Sequence, residues 1–271
     1  MKKIMMITIS LLVMTAFLVS GCSSKTSPTS TSSSQAAADI KAITDRGVLN
    51  VGVKVDVPKF GFKDPKTGNI DGMEIDLARA IAKKILGDEK KINLQAVTAK
   101  TRGPLLDNGE LDMDIATFTI TDERKLSYNF SDPYFTDGVA LMVKKDSGIK
   151  SLKDLNGKKI GVAQSATSKK AIEDAAAPDG IKVSFLEFGT YPEIKTALDS
   201  GRVDCFSVDG AILNGYLDDS VVILSERYSP QNYGIATKKA NVALAALVNE
   251  TVNDMKKSGE LDKLIQKWGI K

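Results

Sequence analysis

The chain contains no histidine among its 271 residues and only two cysteines. Without histidine, neither a Ser-His-Asp nor a Cys-His nucleophilic centre can be built, and the commonest metal ligand is missing. The acidic residues show no alternating run of the calcium-binding kind, so we expect neither a metal nor a cofactor. Cys22 lies near the N-terminus, which leaves Cys205 alone in an apolar run, where we expect a buried, unreactive thiol.

A strong charge of either sign is also missing. The formal net charge is +3, and removal of Lys2 and Lys3 with an N-terminal signal would reduce it to +1. A nearly neutral body with scattered charges gives no support for a nucleic-acid partner. After residue 40 no apolar run is long enough to span a membrane, which disfavours a transmembrane sensor.

The first 22 residues have a pattern of their own. Two lysines precede an apolar segment at residues 4–19, which is too short for a comfortable membrane span of about 20 residues. Small residues and then Cys22 follow, so we predict a secretory signal at 1–21. The pattern resembles a bacterial lipoprotein signal. This resemblance implies that Cys22 is acylated, for example with palmitate, and holds a soluble body to the outer face of the cell membrane. A plain secreted protein with an incidental Cys22 is the alternative.

Residues 22–39 are rich in Ser, Thr and Ala and have almost no apolar bulk. Such a segment cannot bury enough surface to order itself, so we predict a flexible tether. The remaining length suits one large or two small domains.

One pattern of elements occurs twice in the body. The closest match is between Gly109-Glu110-Leu111-Asp112 and Gly201-Arg202-Val203-Asp204, at an offset of 201 − 109 = 92 residues. Two β-α-β-α-β units predict two α/β lobes with mainly parallel sheets, the alternative being chance similarity between generic α/β stretches. The predicted elements are 49–53, 73–86, 92–97, 103–108 and 113–116 in the first copy, and 159–163, 168–177, 182–188, 192–200 and 205–208 in the second.

The repeat also predicts where a ligand binds, because open α/β sheets bind ligands beyond the carboxyl ends of their strands. Thr117 and Asp209 occupy equivalent strand ends, and Thr117 is followed by further hydroxyls and by Arg124. One lobe therefore offers hydroxyls and a guanidinium, and the other offers a carboxylate. A cleft between them would suit a zwitterion, with its carboxylate toward Arg124 and its ammonium toward Asp209.

Two runs carry a resemblance to a known family. Thr119-Ile120-Thr121-Asp122-Glu123-Arg124-Lys125 and the later Phe130-Ser131-Asp132-Pro133-Tyr134 resemble the signature of polar amino-acid binding proteins, the family 3 solute-binding proteins of ABC uptake systems. Other segments resemble the same family, and together the resemblance covers the whole mature chain. They are 72–77, 157–168, 231–236 and 268–269.

The resemblance implies a two-lobed periplasmic-binding-protein-like fold of type II, with two hinge strands, near 138–141 and 232–236. Lobe 1 is expected at 40–138 plus 234–271, and lobe 2 at 139–233. It also implies a monomer without catalytic residues, which closes around its ligand and is then read by a membrane permease.

Several roles follow from the resemblance. Arg124 would pair with the ligand α-carboxylate, and Asp209 would take the α-ammonium. Thr117 departs from the glycine or serine of many members, which puts its amine contact in doubt. The residues expected to support the carboxylate or the amine, partly through a helix N-terminus, are Thr117, Thr119, Ala166, Thr167 and Ser168.

The side-chain subsite is predicted from two cations. Lys54 follows the first strand, and Arg102 lies in the loop after the second. A neutral ligand would leave both unpaired, which is costly, so we expect aspartate or glutamate, covered by Tyr191. The run around Arg102 is also similar to that of aspartate- and glutamate-specific members. Glutamine or asparagine stays open as the alternative, with Lys54 at the surface or Arg102 bracing its loop.

Two other classes of function are also open. A dehydratase-like enzyme on this fold would need a proton-transfer group in the cleft, for which Glu123 and Asp209 are the candidates. A tethered receptor could also act as a surface adhesin. We favour a binding protein, since Glu123 belongs to a motif that points away from the ligand in binding members of the family.

Overall fold

The structure, a computed structural model, describes residues 30–270. The predicted signal at 1–21 and the predicted lipidation site Cys22 lie outside these residues. Within the described part of the chain, no helix is both long enough and apolar enough to cross a lipid bilayer.

Helices and strands alternate along most of the chain. The helices are α1 Ser30–Arg46, α2 Met73–Leu86, α3 Arg102–Asp107, α4 Asp122–Ser127, α5 Ser168–Ala176, α6 Tyr191–Asp199, α7 Gly210–Leu213, α8 Val242–Lys257 and α9 Glu260–Lys267. The strands are β1 Leu49–Val53, β2 Asp56–Val57, β3 Gly61–Lys63, β4 Ile70–Asp71, β5 Ile92–Ala96, β6 Met113–Ile115, β7 Tyr128–Phe130, β8 Phe135–Lys144, β9 Lys159–Ala163, β10 Ser184–Phe188, β11 Cys205–Asp209, β12 Val221–Ile223, β13 Tyr228–Tyr233 and β14 Ala236–Lys238. Short 3-10 helices are Leu152–Leu155, Ala177–Asp179 and Asn214–Tyr216.

The strands form two main sheets, one in each lobe. The first has the order β5-β1-β6-β14-β7, and the second has the order β10-β9-β11-β8-β12 with β13 paired to β8. In each sheet the strands of the repeated unit run parallel, β5, β1 and β6 in one and β10, β9 and β11 in the other. This arrangement confirms the predicted two-lobed α/β fold. Strands β2, β3 and β4 form a small antiparallel sheet beside it.

The chain crosses between the lobes twice. The first crossing, at residues 131–134, joins β7 to β8, and the second, at 234–235, joins β13 to β14. The first crossing precedes the lobe boundary expected at 138, because β8 already begins at Phe135, where it pairs with Tyr233 of β13. Since β14 then lies between β6 and β7, the second lobe is an insertion into the first.

The Gly-x-x-Asp repeat has the same structural role in both lobes. Gly109 and Gly201 end the preceding helix with φ angles of 83° and 73°, a left-handed conformation that favours glycine. The Asp112 carboxylate accepts a hydrogen bond from the N–H of Asn50 at 2.7 Å, and Asp204 does the same for Lys159 at 2.8 Å. Each aspartate thus ties the start of its own strand to the first strand of its repeated unit.

The folded part begins earlier than the sequence pattern indicated. Helix α1 starts at Ser30, inside the segment predicted to be a flexible tether, so that prediction is wrong for residues 30–39. The cause lies in the end of that segment, since alanine favours helix and the Asp39 carboxylate accepts from the N–H groups of Ala243 and Leu244 at 3.0 and 3.1 Å. Asp39 therefore caps α8 and holds α1 against it.

Each lobe has an apolar core between its sheet and its helices. In α2 the apolar residues recur at helical spacing, and Ile75, Leu77 and Ile81 are fully buried. Gly72 precedes this helix because a Cβ there would lie 2.0 Å from the carbonyl oxygen of Phe60.

Cys205 is buried in the second lobe, and burial raises the pKa of its thiol, as expected for an unreactive cysteine.

The shared role of the repeat aspartates predicts an effect on stability. Asp112→Ala should lower the free energy of unfolding by about 1–2 kcal/mol, because the N–H of Asn50 loses its acceptor. Asp45→Ala is the matched control. Asp45 is exposed and, within residues 30–270, pairs only with Lys41 one helical turn away, so its loss should cost less than about 0.5 kcal/mol. Urea unfolding measures both, and equal effects would contradict the proposed role of Asp112.

Candidate functional site

The predicted ligand residues lie where the strand ends of the two sheets face each other. Lys54 directly follows β1, Thr117 lies just beyond β6, and Asp209 ends β11. Their exposed fractions are 2%, 4% and 4%. The lobes touch at this level, so the structure is that of a closed cleft whose charged side chains are removed from water.

Arg124 connects the two lobes across this cleft. It lies in the first turn of α4, where the Thr121 hydroxyl accepts from its N–H at 3.1 Å and caps the helix. Its guanidinium donates from Nη1 to the Thr119 carbonyl at 2.7 Å and from Nη2 to the Ser165 carbonyl of the second lobe at 3.1 Å. Burial, reinforced by nearby Arg102, lowers the pKa of Arg124 to about 9. A guanidinium fixed in this way is suited to a ligand carboxylate.

Two residues beside Arg124 have strained backbones. Thr117 has a φ angle of 48° and Ser165 one of 61°, the left-handed region that non-glycine residues rarely adopt. The conformation is most costly for Thr117, because its side chain is β-branched. The Thr117 N–H donates to the Glu74 carboxylate at 2.7 Å, and the Ser165 carbonyl accepts from Arg124. Two of the four non-glycine residues with positive φ in the described part of the chain thus belong to the predicted ligand carboxylate site.

Gln231, on the hinge strand β13, holds one predicted ligand residue from each lobe. Its side-chain oxygen accepts from the Thr119 hydroxyl at 2.8 Å and from the Thr167 hydroxyl at 2.7 Å, while its amide donates to the Ser229 carbonyl at 2.9 Å. The sequence interpretation assigned Gln231 to the hinge and missed this role. The available signal was a polar residue in the segment expected to cross between the lobes.

The start of α5 supplies the other predicted contacts from the second lobe. Ser168 is its first residue and is 1% exposed, and Thr167 precedes it and is bonded to Gln231. Ala166 is half-buried beside them. The helix N-terminus therefore lies at the cleft, and ligand binding by these three residues stays a prediction.

Asp209 lies in the second lobe, on its side of the cleft. Its carboxylate accepts a hydrogen bond from the Tyr233 hydroxyl, a partner that the sequence interpretation missed. Burial raises the pKa of Asp209 to about 7, and the charge of Asp137 acts in the same direction, while Arg102 and Arg124 oppose it. A buried carboxylate of this kind gains most from a ligand ammonium, which would restore its charged form.

Lys54 is not free at the end of its strand. Its Nζ lies 2.9 Å from the Asp56 carboxylate and 4.5 Å from the centre of the Tyr191 ring, which comes from the other lobe. Burial lowers the pKa of Lys54, and Asp56 opposes that shift. Asp56 also accepts from the Tyr191 N–H at 3.3 Å through its carboxylate and from the Tyr216 hydroxyl through its carbonyl. The Tyr191 ring therefore contacts Lys54 within a polar cluster that spans both lobes, and its expected contact with a ligand stays a prediction.

Arg102 starts α3 instead of lying in the preceding loop. Its Nη1 donates to the carbonyls of Ala116 and Thr117 at 2.6 and 3.2 Å, and its guanidinium lies 3.8 Å from the centre of the Phe118 ring. The Arg124 guanidinium lies 4.8 Å from the same ring. Arg102 thus braces the end of β6, one of the alternatives left open by the sequence, and Phe118 contacts both cations.

Two buried acids near the cleft were missed. Glu74 accepts from the Tyr134 hydroxyl and from Thr117, and burial raises its pKa to about 8. Neither carboxylate oxygen of Asp114 has a hydrogen-bond partner among the described residues, and burial raises its pKa to about 7. Glu123, the other acid considered for proton transfer, is exposed on α4.

The family model of the bacterial extracellular solute-binding proteins, family 3, matches residues 49–271. The chain belongs to this family. It is 41% identical to the ABC transporter glutamine-binding protein GlnH of Bacillus subtilis, over 99% of this chain and 97% of that protein. It is 45% identical to a glutamine-binding protein of Geobacillus stearothermophilus, over 85% and 90% of the two chains. A solved ancestral arginine-binding protein bound to glutamine matches with a TM-score of 0.73 at 42% identity, over 82% and 98%.

Family membership confirms the expectation of an extracytoplasmic solute-binding protein. It also supports the predicted role as the substrate-binding protein of an amino-acid ABC importer. The protein is not an enzyme of the dehydratase kind, since its relatives at 41% and 45% identity are binding proteins over nearly their whole length.

The buried acids predict how stability depends on pH. In the folded protein the pKa values of Glu74, Asp114 and Asp209 are about 8, 7 and 7, whereas carboxyl groups in unfolded chains titrate near pH ~4. Between these values the folded state binds more protons, so the free energy of unfolding of the ligand-free protein should rise as the pH falls from 8 to 5.5, by on the order of 2 kcal/mol for each of the three groups.

Urea unfolding across this pH range measures the effect. Asp114→Asn removes one of the three titrating groups and should flatten the profile between pH 6 and 8. Stability that instead rises with pH over the same range would contradict the raised pKa values.

Proposed function

We propose that this protein is the substrate-binding component of an amino-acid ABC importer and that its preferred ligand is glutamine, captured between the two lobes and delivered to a membrane permease. The observation that carries the ligand assignment is the buried ion pair between Lys54 and Asp56. It compensates the lysine charge, so an acidic side chain is not needed to neutralise it. The two glutamine-binding relatives support the same ligand.

The ligand backbone would be bound at the Arg124 end of the cleft. Arg124 pairs with the α-carboxylate, and Asp209 with the α-ammonium, an arrangement that suits an amino-acid zwitterion. The residues that complete this end are Thr117 and Thr119 from the first lobe and Ala166, Thr167 and Ser168 from the start of α5. The hydrogen bonds of Gln231 to both Thr119 and Thr167 support this role, because they align the two sides of the carboxylate site.

The ligand side chain would extend toward Lys54, Arg102 and Tyr191. An amide carries both a donor and an acceptor, so it can accept from Lys54 or Arg102 and donate to Asp56. A carboxylate cannot donate to Asp56, and it would be repelled by the charge of that residue. The balanced pair of Lys54 and Asp56 therefore favours a neutral amide over an acid.

Aspartate or glutamate is the second candidate, favoured by the total charge of the cleft. Lys54, Arg102 and Arg124 are three buried or mostly buried cations in one closed site. With the pKa of Asp114 raised to about 7, this acid is only partly ionised near neutral pH and balances Arg102 incompletely. An acidic ligand would supply the missing negative charge.

The protein would act as a monomer outside the cytoplasm, held to the membrane by acylated Cys22. The two crossings of the chain provide the hinge, and closure brings Ser165 to Arg124. Since closure alone completes these contacts, the closed form is the state that a permease would recognise.

Calorimetry on the chain from Ser23 onward, unfolded and refolded to remove bound ligand, tests this proposal. Glutamine should bind with a dissociation constant at least tenfold below those of glutamate, aspartate and asparagine. Tighter binding of the acids would replace glutamine by the second candidate, and no binding of any of the four would contradict amino-acid capture.

Arg124→Gln should weaken the binding of every amino-acid ligand by at least 100-fold, about 2.7 kcal/mol, because the charge-assisted pair with the α-carboxylate is lost. Lys125→Gln is the matched control, since Lys125 is its exposed neighbour and its side chain pairs, among the described residues, only with Asp122. Equal affinities of the two variants in the same titration would contradict the role of Arg124.

A further inference from the structure

We propose that Asp56 is the residue that sets the side-chain preference of the cleft, acting through Lys54, and that it couples this preference to closure. The inference rests on the proposed capture of an amino acid in this cleft. Asp56 belongs to the short strand β2, and no motif in the sequence distinguished it. Its side chain is only 12% exposed, and it is the carboxylate that forms the ion pair with Lys54.

The position of Asp56 gives it control over the charge of Lys54. Their side chains are 2.9 Å apart, and Lys54 is 2% exposed, so water cannot screen the pair effectively. The next charged groups that act on Lys54 are Arg102, which repels it, and Glu74, whose own pKa is raised to about 8. Burial raises the pKa of Asp114 to about 7, although the charge of Lys54 lowers it, so this acid is only partly ionised near pH 7. Removing the charge of Asp56 would therefore leave Lys54 without a fully ionised partner near pH 7 and create a demand for an anionic ligand side chain.

Asp56 also connects the side-chain subsite to the second lobe. The N–H of Tyr191, the first residue of α6, donates to its carboxylate at 3.3 Å, and the Tyr216 hydroxyl donates to its carbonyl. Gly215, beside Tyr216, lies so close to Pro58 that an added Cβ would approach the proline ring to within 2.8 Å. The same short segment thus fixes the charge of Lys54 and receives the second lobe when the cleft closes.

The ratio of affinities for glutamate and glutamine tests this role, because a merely structural residue would weaken both ligands together. Asp56→Asn keeps the shape of the side chain and should shift the ratio toward glutamate by at least tenfold relative to the wild type. Lys54→Met leaves Asp56 unpaired and should shift it toward glutamine. In the Lys54→Met background, the further change Asp56→Asn should no longer favour glutamate, because the lysine through which Asp56 acts is absent.

Asp71→Asn is the matched control: it removes the charge of a half-exposed aspartate of the same lobe, paired with Arg79. This variant should leave the ratio unchanged. Calorimetry on the same refolded chain measures all variants. An unchanged ratio in Asp56→Asn, with glutamine still bound by the wild type, would overturn this inference alone. A wild type that binds no amino acid would overturn the proposed function itself. If Asp56→Asn does not fold, an unshifted ratio in Lys54→Met overturns the inference.

Discussion

Arg124 donates one hydrogen bond to a carbonyl of each lobe, and both bonds can exist only while the lobes are together. The rest of the cleft depends on this contact. With the lobes joined, Lys54, Asp209 and Glu74 are withdrawn from water, and each needs a partner that repays the loss of hydration. Their partners are Asp56, Tyr233 and Tyr134, respectively. The raised pKa values of Asp209 and Glu74 show that the tyrosine hydroxyls compensate the lost hydration only in part.

The cleft thus combines charges that are satisfied with charges that are only partly satisfied. Lys54 has an ion-pair partner, whereas the oxygens of Asp114 have no hydrogen-bond partner within residues 30–270. A zwitterion entering between Arg124 and Asp209 adds one charge of each sign, so it can improve the electrostatic balance without changing the net charge. Strain at Thr117 and Ser165 accompanies the same site, as is common where the backbone is arranged for binding and not for stability.

Sequence reasoning was most successful where one physical rule acts locally. The period of the apolar residues predicted α2 at 73–86, the bounds that the structure shows, and the duplicated Gly-x-x-Asp turns predicted two parallel-sheet lobes. It failed where the cause is distant in the chain. The start of α1 depends on Asp39 capping a helix that begins at Val242. It also missed one local cause, because Lys54 forms an ion pair with Asp56, two residues away, and the strand pattern gave no sign of this pair. Gln231 and Tyr233 became visible as site residues only when the hinge strand was placed between the lobes.

Helix α1 packs on α8 of the first lobe, and Asp39 joins the two helices. The described part of the chain therefore begins on the first lobe. In a protein attached to the membrane at its N-terminus, the attachment would therefore act on the first lobe. The inserted second lobe would be connected to the membrane only through its two crossings to the first lobe. Opening and closing would then be a rotation of the second lobe relative to a fixed first lobe. The side of the cleft formed by the first lobe would keep a constant orientation relative to the point of attachment.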